Sequence, residues 1–442
     1  MNRPISGLTH ALLAAGCVAA SISSAIPEAQ GARNASMAEN RLILDKNNVF
    51  IFPQLAAEYA NLVSFDYGRA DGVGLGEDGR GSGLALVGDE TKALGIAIAH
   101  GDVLVTPYTH FFPHDLGDYN LDNTNNFLDL PPGLNPLPAP ADDALLTDAY
   151  TIGDLMGSLQ VGDGLLGARV SVGHGAQIAT DLESVESGNG QIFGAFSIGY
   201  SYFGDVQIDS NLSLHLGSGG VFAEEDIADA GYVMGGGSLR SYVPLDGDVE
   251  LGVLAHLDRA RTTLITYEYD EGSEQIDEQT GQLTTLSALA GAGPVYRIGE
   301  TTVGLYGVLG VSRVTGDPDI DESDNTATFR TLTLPGVHLA ADIEIVEWLY
   351  FRTGLQYRFF TSRTITEQLD EDGEPDDTRD IMRGGNMNWR AGIGVEVGNF
   401  TFDGTFEPHF LTNGPSFLGG ALSEASDESA GMFTMVSVGY RF

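Results

Sequence analysis

Apolar residues recur at every second position through most of the chain, over segments of ten or more residues. Leu212, Leu214 and Leu216, for example, alternate with Ser213 and His215. This spacing is that of a β-strand, whose successive side chains point to opposite faces. The pattern begins near residue 59 and continues to residue 442, so it predicts an all-β domain over residues 59–442.

The connections between these segments alternate between short turns and long polar loops. The short turns fall near residues 88–91, 162–164, 203–205, 244–248, 297–301, 346–347 and 398–399. The long loops fall at residues 70–80, 102–151, 181–190, 219–231, 270–280, 315–325, 367–386 and 412–430. A soluble sandwich does not require this asymmetry, whereas a membrane-spanning barrel has tight periplasmic turns and variable outer loops.

We therefore predict a transmembrane antiparallel up-and-down β-barrel of about 16 strands, with 14 or 18 as alternatives. Its periplasmic turns are short and its extracellular loops are long and acidic. Residues that share one side of their strands are predicted to face lipid: Leu212, Leu214, Phe351, Leu355, Ile393 and Phe402. Residues on the opposite side are predicted to face the lumen: Asp209, Arg352, Arg358, Arg390 and Glu407.

The N-terminus has the pattern of an export signal over residues 1–32. Arg3 precedes a mostly apolar stretch from Leu8 to Ile22, and small residues offer cleavage near residue 25 or 31. The run from Leu13 to Cys17 resembles a bacterial lipobox, so lipidation of Cys17 is the alternative to ordinary cleavage. Residues 33–58 are predicted to form an N-terminal periplasmic or plug segment.

The last segment, residues 431–442, alternates to its final residues, Tyr440-Arg441-Phe442. Together with the export signal and the alternating strands, this ending resembles Gram-negative outer-membrane β-barrel proteins of the porin-like kind. The resemblance implies that Tyr440 and Phe442 serve barrel closure and recognition by the barrel-assembly machinery. It also implies that outer-membrane lipid and lipopolysaccharide surround the barrel, and it leaves homo-oligomerisation open. This chain departs from the family's terminal signal. It has Ser437 where the signal has its glycine, and its own glycine stands at Gly439.

A second likeness, to fatty-acid-transporter-type barrels, rests on Asn47-Asn48 and on the stretch Phe52 to Ala57. It implies no particular substrate.

Charge excludes one class of partner. The chain has 62 acidic residues and a formal net charge of −41, with lysine only at Lys46 and Lys92. Nucleic-acid binding requires a basic face, so nucleic acid is not a predicted partner. No window contains 18 consecutive apolar residues, so no spanning helix is predicted in the mature chain.

Charged residues on the lumenal side of the strands form two predicted stripes. Arg330, Arg352, Arg358 and Arg390 form a basic stripe, and Glu396, Asp403 and Glu407 form an acidic stripe beside it. His256, His338 and His409 share the lumenal side with nearby aspartates, but no compact Ser–His–acid motif stands out. We predict pairing networks in the lumen and no catalytic residue or cofactor.

Carboxylates alternate at Asp317, Asp319 and Asp321, as they do in a calcium loop. The stretch lacks the glycine and the final acid that a calcium hand needs. The favoured interpretation is therefore solvated loop charge, with weak Ca²⁺ binding as the alternative.

Loop 102–151 is too long for a passive connection, and it contains the apolar, proline-rich stretch of residues 127–140. It is predicted either to fold into the barrel mouth or to cover neighbouring loops outside. The whole pattern predicts a channel for passive diffusion of small polar solutes or ions. The alternatives are a transporter of hydrophobic substrates and a non-conducting surface or structural barrel.

Overall fold

The computed structural model of the protein describes residues 32–38, 40–68, 81–102, 149–180, 186–223, 226–270, 275–319, 326–369, 375–406 and 433–442. The N-terminal part contains helix α1 (Ala32–Ser36) and two 3-10 helices (Lys46–Phe50 and Pro53–Ala57). The strands are β1 (Leu62–Gly68), β2 (Gly81–Asp89), β3 (Lys92–Asp102), β4 (Ala149–Val161), β5 (Gly164–Thr180), β6 (Glu186–Phe203), β7 (Gln207–Ala223), β8 (Asp226–Asp246), β9 (Val249–Asp270), β10 (Gln275–Ile298), β11 (Thr301–Asp319), β12 (Thr326–Val346), β13 (Leu349–Leu369), β14 (Pro375–Val397), β15 (Phe400–Phe406) and β16 (Phe433–Arg441).

The sixteen strands form one closed antiparallel barrel, in which each strand pairs with its sequence neighbours. The ring closes between β1 and β16, whose register runs from Leu62 opposite Arg441 to Gly68 opposite Met435. Closure pairs the backbone groups of both terminal strands, so the barrel has no open edge. The predicted all-β fold of about 16 strands is confirmed.

The seven short turns lie where the sequence predicts them, as connections of two or three residues. The opposite end differs from the prediction, because β8 to β14 are 19 to 24 residues long. Most residues of the stretches predicted as loops at 219–231, 270–280 and 367–386 are strand, and so are residues 315–319 of the stretch 315–325. A strand of about 10 residues already spans a bilayer. These strands therefore continue beyond the membrane, where both faces tolerate polar side chains and the backbone ladder still satisfies its hydrogen bonds.

An apolar belt covers the outside of the barrel. Leu212 is 67% exposed and Leu214 46% exposed, whereas Asp209 on the same strand is buried. On β13 and β14, Arg352 and Arg390 are buried, and Phe351 and Ile393 are half-buried on the other side. Closure together with this belt fits a protein that spans a lipid bilayer with its strands. Within the described residues, no helix is long and apolar enough to cross a membrane.

Residues 32–38 and 40–60, here called the inner segment, lie inside the barrel. Most described side chains of this segment are buried, including Leu42, Asp45, Val49 and Leu55, each at 0% exposure. Its contacts reach strands on all sides of the ring, from β2 to β6 and from β13 to β16. These contacts fall on wall residues near the short turns, so the segment occupies the short-turn end of the lumen.

Local hydrogen bonds shape the inner segment. The Asn40 side chain accepts from the backbone N–H groups of Leu42 and Ile43, at 2.8 and 3.1 Å. Asp45 caps the first 3-10 helix in a reciprocal capping box with Asn48. Such side-chain caps satisfy backbone donors that a short helix leaves unpaired. The segment therefore has its own defined path across the lumen.

Candidate functional site

The site is the contact between the inner segment and the barrel wall, beginning at helix α1. The backbone N–H of Ala32 donates to Ser437 Oγ on β16, at 2.7 Å. Thr405 Oγ1 on β15 donates to the Ala32 carbonyl, also at 2.7 Å. The start of the inner segment is therefore held by the two strands that precede barrel closure.

A charged cluster holds the next residue. Arg33 Nη2 lies 2.8 Å from Asp342 Oδ2 on β12, and Arg352 Nε on β13 lies 3.0 Å from Asp342 Oδ1. Arg352 Nη1 also donates to Asp403 on β15. Its guanidinium crosses β14 at Gly394, where a Cβ atom would overlap it. Arg352 and Asp403, which belong to the neighbouring predicted basic and acidic stripes, thus form one ion-paired cluster.

The backbone of the inner segment passes directly against β13. A Cβ atom at Gly354 would overlap the carbonyl group of Met37. Gln356 Nε2 donates to the Ala38 carbonyl at 3.0 Å, two residues further along the strand. Glycine at 354 is therefore required by a close approach of two backbones.

Arg240 on β8 joins the wall to the middle of the inner segment. Its Nε and Nη2 lie 2.9 and 2.8 Å from Asp209 Oδ2 on β7. Its Nη1 donates to Asn48 Oδ1 at 2.6 Å and to the Arg41 carbonyl at 3.1 Å. The guanidinium also lies 4.7 Å from the ring centroid of Phe52. One buried arginine therefore binds three separate parts of the inner segment.

A second buried arginine, Arg169 on β5, has the same role at the far side. It pairs with Asp154 on β4 at 2.8 Å and donates to the Phe50 carbonyl at 2.5 Å. Its guanidinium lies 5.0 Å from the Phe50 ring centroid. Each wall arginine thus pairs with a carboxylate of the wall and also contacts a backbone carbonyl and an aromatic ring of the inner segment.

The second 3-10 helix docks against an apolar sector of the wall. Val49 and Leu55 pack with inward side chains of β2 to β5 in one buried cluster. The wall members of this cluster are Leu84, Leu86, Ala93, Ala97, Met156 and Leu165. Gln54 fits between Gly167 and Gly199, and its Nε2 donates to the Ser210 carbonyl at 3.1 Å. Apolar burial and hydrogen bonds therefore both hold this end.

Glu58 is the exception among the inner segment's polar groups, because its side chain is exposed to the barrel interior. Burial of the site by the surrounding wall, together with the nearby Asp209 carboxylate, raises the pKa of Glu58 to about 7. Arg240 opposes this shift. Glu58 is therefore a titratable group beside the Arg240–Asp209 pair.

Histidines on the wall form two networks. Ser238 Oγ on β8 lies 3.0 Å from His256 Nδ1 on β9, and His256 Nε2 lies 2.9 Å from Asp258 Oδ1. On β11 and β12, Tyr306 Oη lies 3.0 Å from His338 Nδ1. These contacts are the polar pairing networks that the shared side of the strands predicts.

The remaining predicted residues are distributed as follows. Arg390 is buried, and Glu396 is exposed near the short turn that follows β14. Strand β12 contains Arg330, β13 contains Arg358, and β11 contains Asp317 and Asp319. The side chains of these four residues lie outside the described part. Outside it altogether lie Asp321, Glu407, His409 and residues 103–148. No group of three metal-ligating side chains occurs in the described ranges.

Aromatic side chains mark the closure of the ring. The Phe400 and Tyr440 rings lie 4.7 Å apart, and the Tyr440 and Phe442 rings 6.5 Å apart. The backbone N–H of Phe442 donates to the Asn61 carbonyl at 3.0 Å, just before β1. Trp348 and Phe203 are also exposed at this end of the barrel. Such a group fits the aromatic girdle of a membrane interface.

Sequence reasoning missed Arg169, Arg240 and Asp154 as docking residues. Their position on the polar side of alternating strands was a usable signal. The sequence offered no signal for their partners in the inner segment, because the Arg240–Asn48 contact joins residues 192 positions apart.

No protein-family model and no curated protein sequence matches this chain. Among solved structures, it resembles the alcaligin outer-membrane receptor FauA from Bordetella pertussis with 9% identity and a TM-score of 0.38, covering 78% of this chain and 67% of that one. The ferric yersiniabactin uptake receptor FyuA from Yersinia pestis gives 9% identity and 0.35, covering 86% and 79%. The P. putida toluene transporter TodX gives 10% identity and 0.31, covering 94% and 99%.

The chain closes its barrel, exposes an apolar belt and carries aromatic residues at its short-turn end. Strands cross membranes only as such closed barrels, which is the architecture of outer-membrane proteins. The chain therefore has the fold of a closed, membrane-spanning β-barrel of the outer-membrane type.

Proposed function

We propose that this barrel transports small polar solutes or ions across the outer membrane, and that the inner segment is the gate of its path. The observation that carries the proposal is the docking of the inner segment across the lumen. Arg33 of the segment pairs with a wall carboxylate, that of Asp342. Arg169 and Arg240 of the wall donate hydrogen bonds to the segment. In this conformation a solute passes the short-turn end only when the inner segment moves.

The polar character of the interior supports a polar cargo. The inward side of the described strands carries arginine, aspartate, histidine and serine, many of them buried. The ion pairs Arg33–Asp342 and Lys46–Asp66 and several hydrogen bonds join the inner segment to the wall beside the apolar clusters, and water replaces these polar contacts when the segment leaves. Buried ion pairs contribute little net stability, so such a contact is suited to opening.

A second candidate is the transport of hydrophobic substrates. The observation that favours it is the apolar sector of β2 to β5, where Leu84, Leu86 and Met156 face inward. Val49 and Leu55 cover this sector when the segment is docked. An apolar solute would then compete with the segment for the same surface.

The orientation of His256 supports transport over hydrolysis. In serine hydrolases the nucleophile contacts Nε2 and the acid contacts Nδ1. Here Ser238 lies at Nδ1 and Asp258 at Nε2. We therefore propose no catalytic role for this chain.

A reversible crosslink tests the gate. Ala35 packs against Met435 of β16 in one buried cluster, so Ala35→Cys with Met435→Cys is expected to join segment and wall. The one native cysteine, Cys17, lies in the predicted export signal. In planar bilayers, we expect the oxidised pair to conduct less than the reduced pair, with Met435→Cys alone unaffected by oxidant. Equal conductance in both states would overturn the gate, and permeation by apolar but not polar solutes would favour the second candidate.

A further inference from the structure

A polar recess lies on the wall of β7 to β10, immediately beyond the Arg240 docking point. Ser238 precedes Arg240 by two residues and so lies nearer the long-loop end of β8, and Asn211 lies opposite Ser238 on β7. His256 lies opposite Ser238 on β9, and Asp258 opposite Ser287 on β10. Directly opposed residues on antiparallel strands have Cβ atoms about 5 Å apart. These side chains therefore form one continuous surface.

All members of this recess face the lumen. Their strand neighbours Leu212, Leu239, Leu257 and Leu286 are 67%, 42%, 56% and 45% exposed on the outside. Ser238 and His256 are half-buried. A solute in the lumen therefore contacts Ser238 and His256 before the more deeply buried members of the recess.

Three buried oxygen atoms in the recess have no hydrogen-bond partner within the described part of the chain. They are Asn211 Oδ1, Asp258 Oδ2 and Ser287 Oγ. The three residues are 8%, 2% and 3% exposed. A buried polar atom without a partner destabilises the state that contains it, and more so when the atom is charged. A ligand that donates hydrogen bonds here would remove that destabilisation.

Two hydrogen-bonding contacts hold the carboxylate of the recess in place. Asp258 Oδ1 lies 2.9 Å from His256 Nε2, within hydrogen-bonding distance. Its second oxygen, Oδ2, stays available towards Ser287 on the neighbouring strand. Ser238 holds the imidazole from its other side at 3.0 Å. The Ser238–His256 pair thus orients the carboxylate.

Charge selects the class of ligand. The Asp209 carboxylate below the recess is neutralised by Arg240. Asp258 has no arginine or lysine among its described ion pairs, and the Glu58 carboxyl group lies near Asp209 on the exposed side of the inner segment. The recess therefore presents acceptors and negative charge.

We propose that this recess is a binding site for a solute bearing a primary ammonium group, with Asp258 and Ser287 as its principal contacts. The proposal rests on the transport function proposed above and names its substrate class. A solute held here lies one residue pair beyond the arginine that docks the inner segment. Its binding site and the gate are therefore adjacent.

Saturation-transfer NMR titration of the full-length protein in detergent micelles tests the site. The probes are n-propylammonium, which has three N–H donors, and tetramethylammonium, which has the charge but no donor. We expect propylammonium to bind at least about tenfold more tightly, because a hydrogen bond to a charged group contributes about 1.5–3 kcal/mol. Equal affinities would mean that charge alone attracts the cation, and would overturn the site.

Two variants and one control locate the binding. Asp258→Asn and Ser287→Ala should each weaken propylammonium binding, Asp258→Asn by roughly tenfold or more. The control is Ser158→Ala, which removes an equally unpartnered buried hydroxyl from β4. Ser287→Ala decides the test if Asp258→Asn fails to assemble. Absence of binding, or wild-type affinity in Ser287→Ala, contradicts the site. Conduction by a protein that binds no amine would overturn the site and leave the transport proposal standing.

Discussion

The backbone of Met37 passes so close to Gly354 on β13 that no side chain fits at position 354. The inner segment therefore makes its closest backbone approach to β13 at a position that carries no Cβ atom. Gly167 on β5 has the same relation to Gln54, at the other side of the lumen. Glycines on the inward face of two distant strands thus define the seat of the segment.

We predict that Gly354→Ala displaces the inner segment while the barrel remains assembled. Overpacking a close contact costs about 1–3 kcal/mol, and here the cost falls on the docked state alone. A shift of about 1.4 kcal/mol raises the undocked-to-docked ratio tenfold, so single-channel open probability should rise by roughly that factor.

The matched control is Gly153→Ala on β4, an exposed glycine where an added Cβ meets nothing within 4 Å. It should conduct as the wild type does. Unchanged gating in Gly354→Ala would show that the close contact does not hold the segment.

We predict that Arg240→Met destabilises the protein strongly. The substitution leaves Asp209 buried at 0% exposure without its ion pair. It also removes the hydrogen bond from Arg240 to Asn48 of the inner segment. Removing one partner of a buried ion pair costs about 3–5 kcal/mol. Urea-dependent loss of heat-modifiable migration on gels measures the change in stability.

Arg297→Met is the control for this prediction, because its pair with Glu250 is about one-third exposed on both sides. Exposed pairs contribute about 0–1 kcal/mol. Adding Asp209→Asn to Arg240→Met should restore part of the loss, since no uncompensated charge is then buried. If the double variant is no more stable than Arg240→Met, the charge argument fails.

The alternation of the strands made the wall predictable from the sequence, whereas the docking of the inner segment was not predictable. Leu212 and Asp209 are assigned to opposite faces by their spacing alone, because a one-residue slip would reverse both. The contact between Gln356 and Ala38 joins residues 318 positions apart, and no local pattern encodes it. The sequence shows a glycine at position 354 but not why it is needed. The need comes from the backbone of Met37, which only the folded structure brings next to it.

The recess on β7 to β10 was half predictable for the same reason. His256 and Asp258 stand two positions apart on one strand, so the sequence places them on one face. Ser238 joins them only through the β8–β9 register, in which it lies opposite His256. The strand extensions were missed because their outer parts are polar on both faces, which removes the alternation that predicts a strand.

Glu58 should make docking depend on pH. Its pKa is about 7 in the folded protein, raised from an ordinary value of 4.5 by burial and by Asp209. The folded, docked state therefore binds the proton more tightly than the undocked state does. This contribution is fully present below pH 4.5 and is lost as the pH rises through about 7.

We therefore expect single-channel open probability to rise between pH 4.5 and pH 8, and Glu58→Gln to flatten this rise. The amide stays neutral throughout, so the variant should resemble the wild type at low pH. Measurements over this range in bilayers of fixed salt test the prediction. An open probability that falls with rising pH in the wild type would reverse the sign and contradict it.

We predict weak cation selectivity that fades as the salt concentration rises. Around the inner segment the charges largely cancel, because Arg169 pairs with Asp154, Arg240 with Asp209, and Arg352 with two aspartates. These pairs orient polar solutes but scarcely favour one sign. The formal net charge of the whole chain is −41, so the excess acid lies elsewhere.

Part of that excess lies at the long-loop end, where Asp317 and Asp319 stand at the end of β11. Acids there attract cations over about one Debye length, roughly 8 Å at physiological salt, and higher salt screens them. Reversal potentials in a KCl gradient measure the preference, and Asp317→Asn with Asp319→Asn should reduce it. Asp163→Asn with Asp205→Asn removes two exposed acids from the short turns and should change it less. Anion selectivity at low salt would mean that the wall arginines, although paired, control the narrowest part of the path.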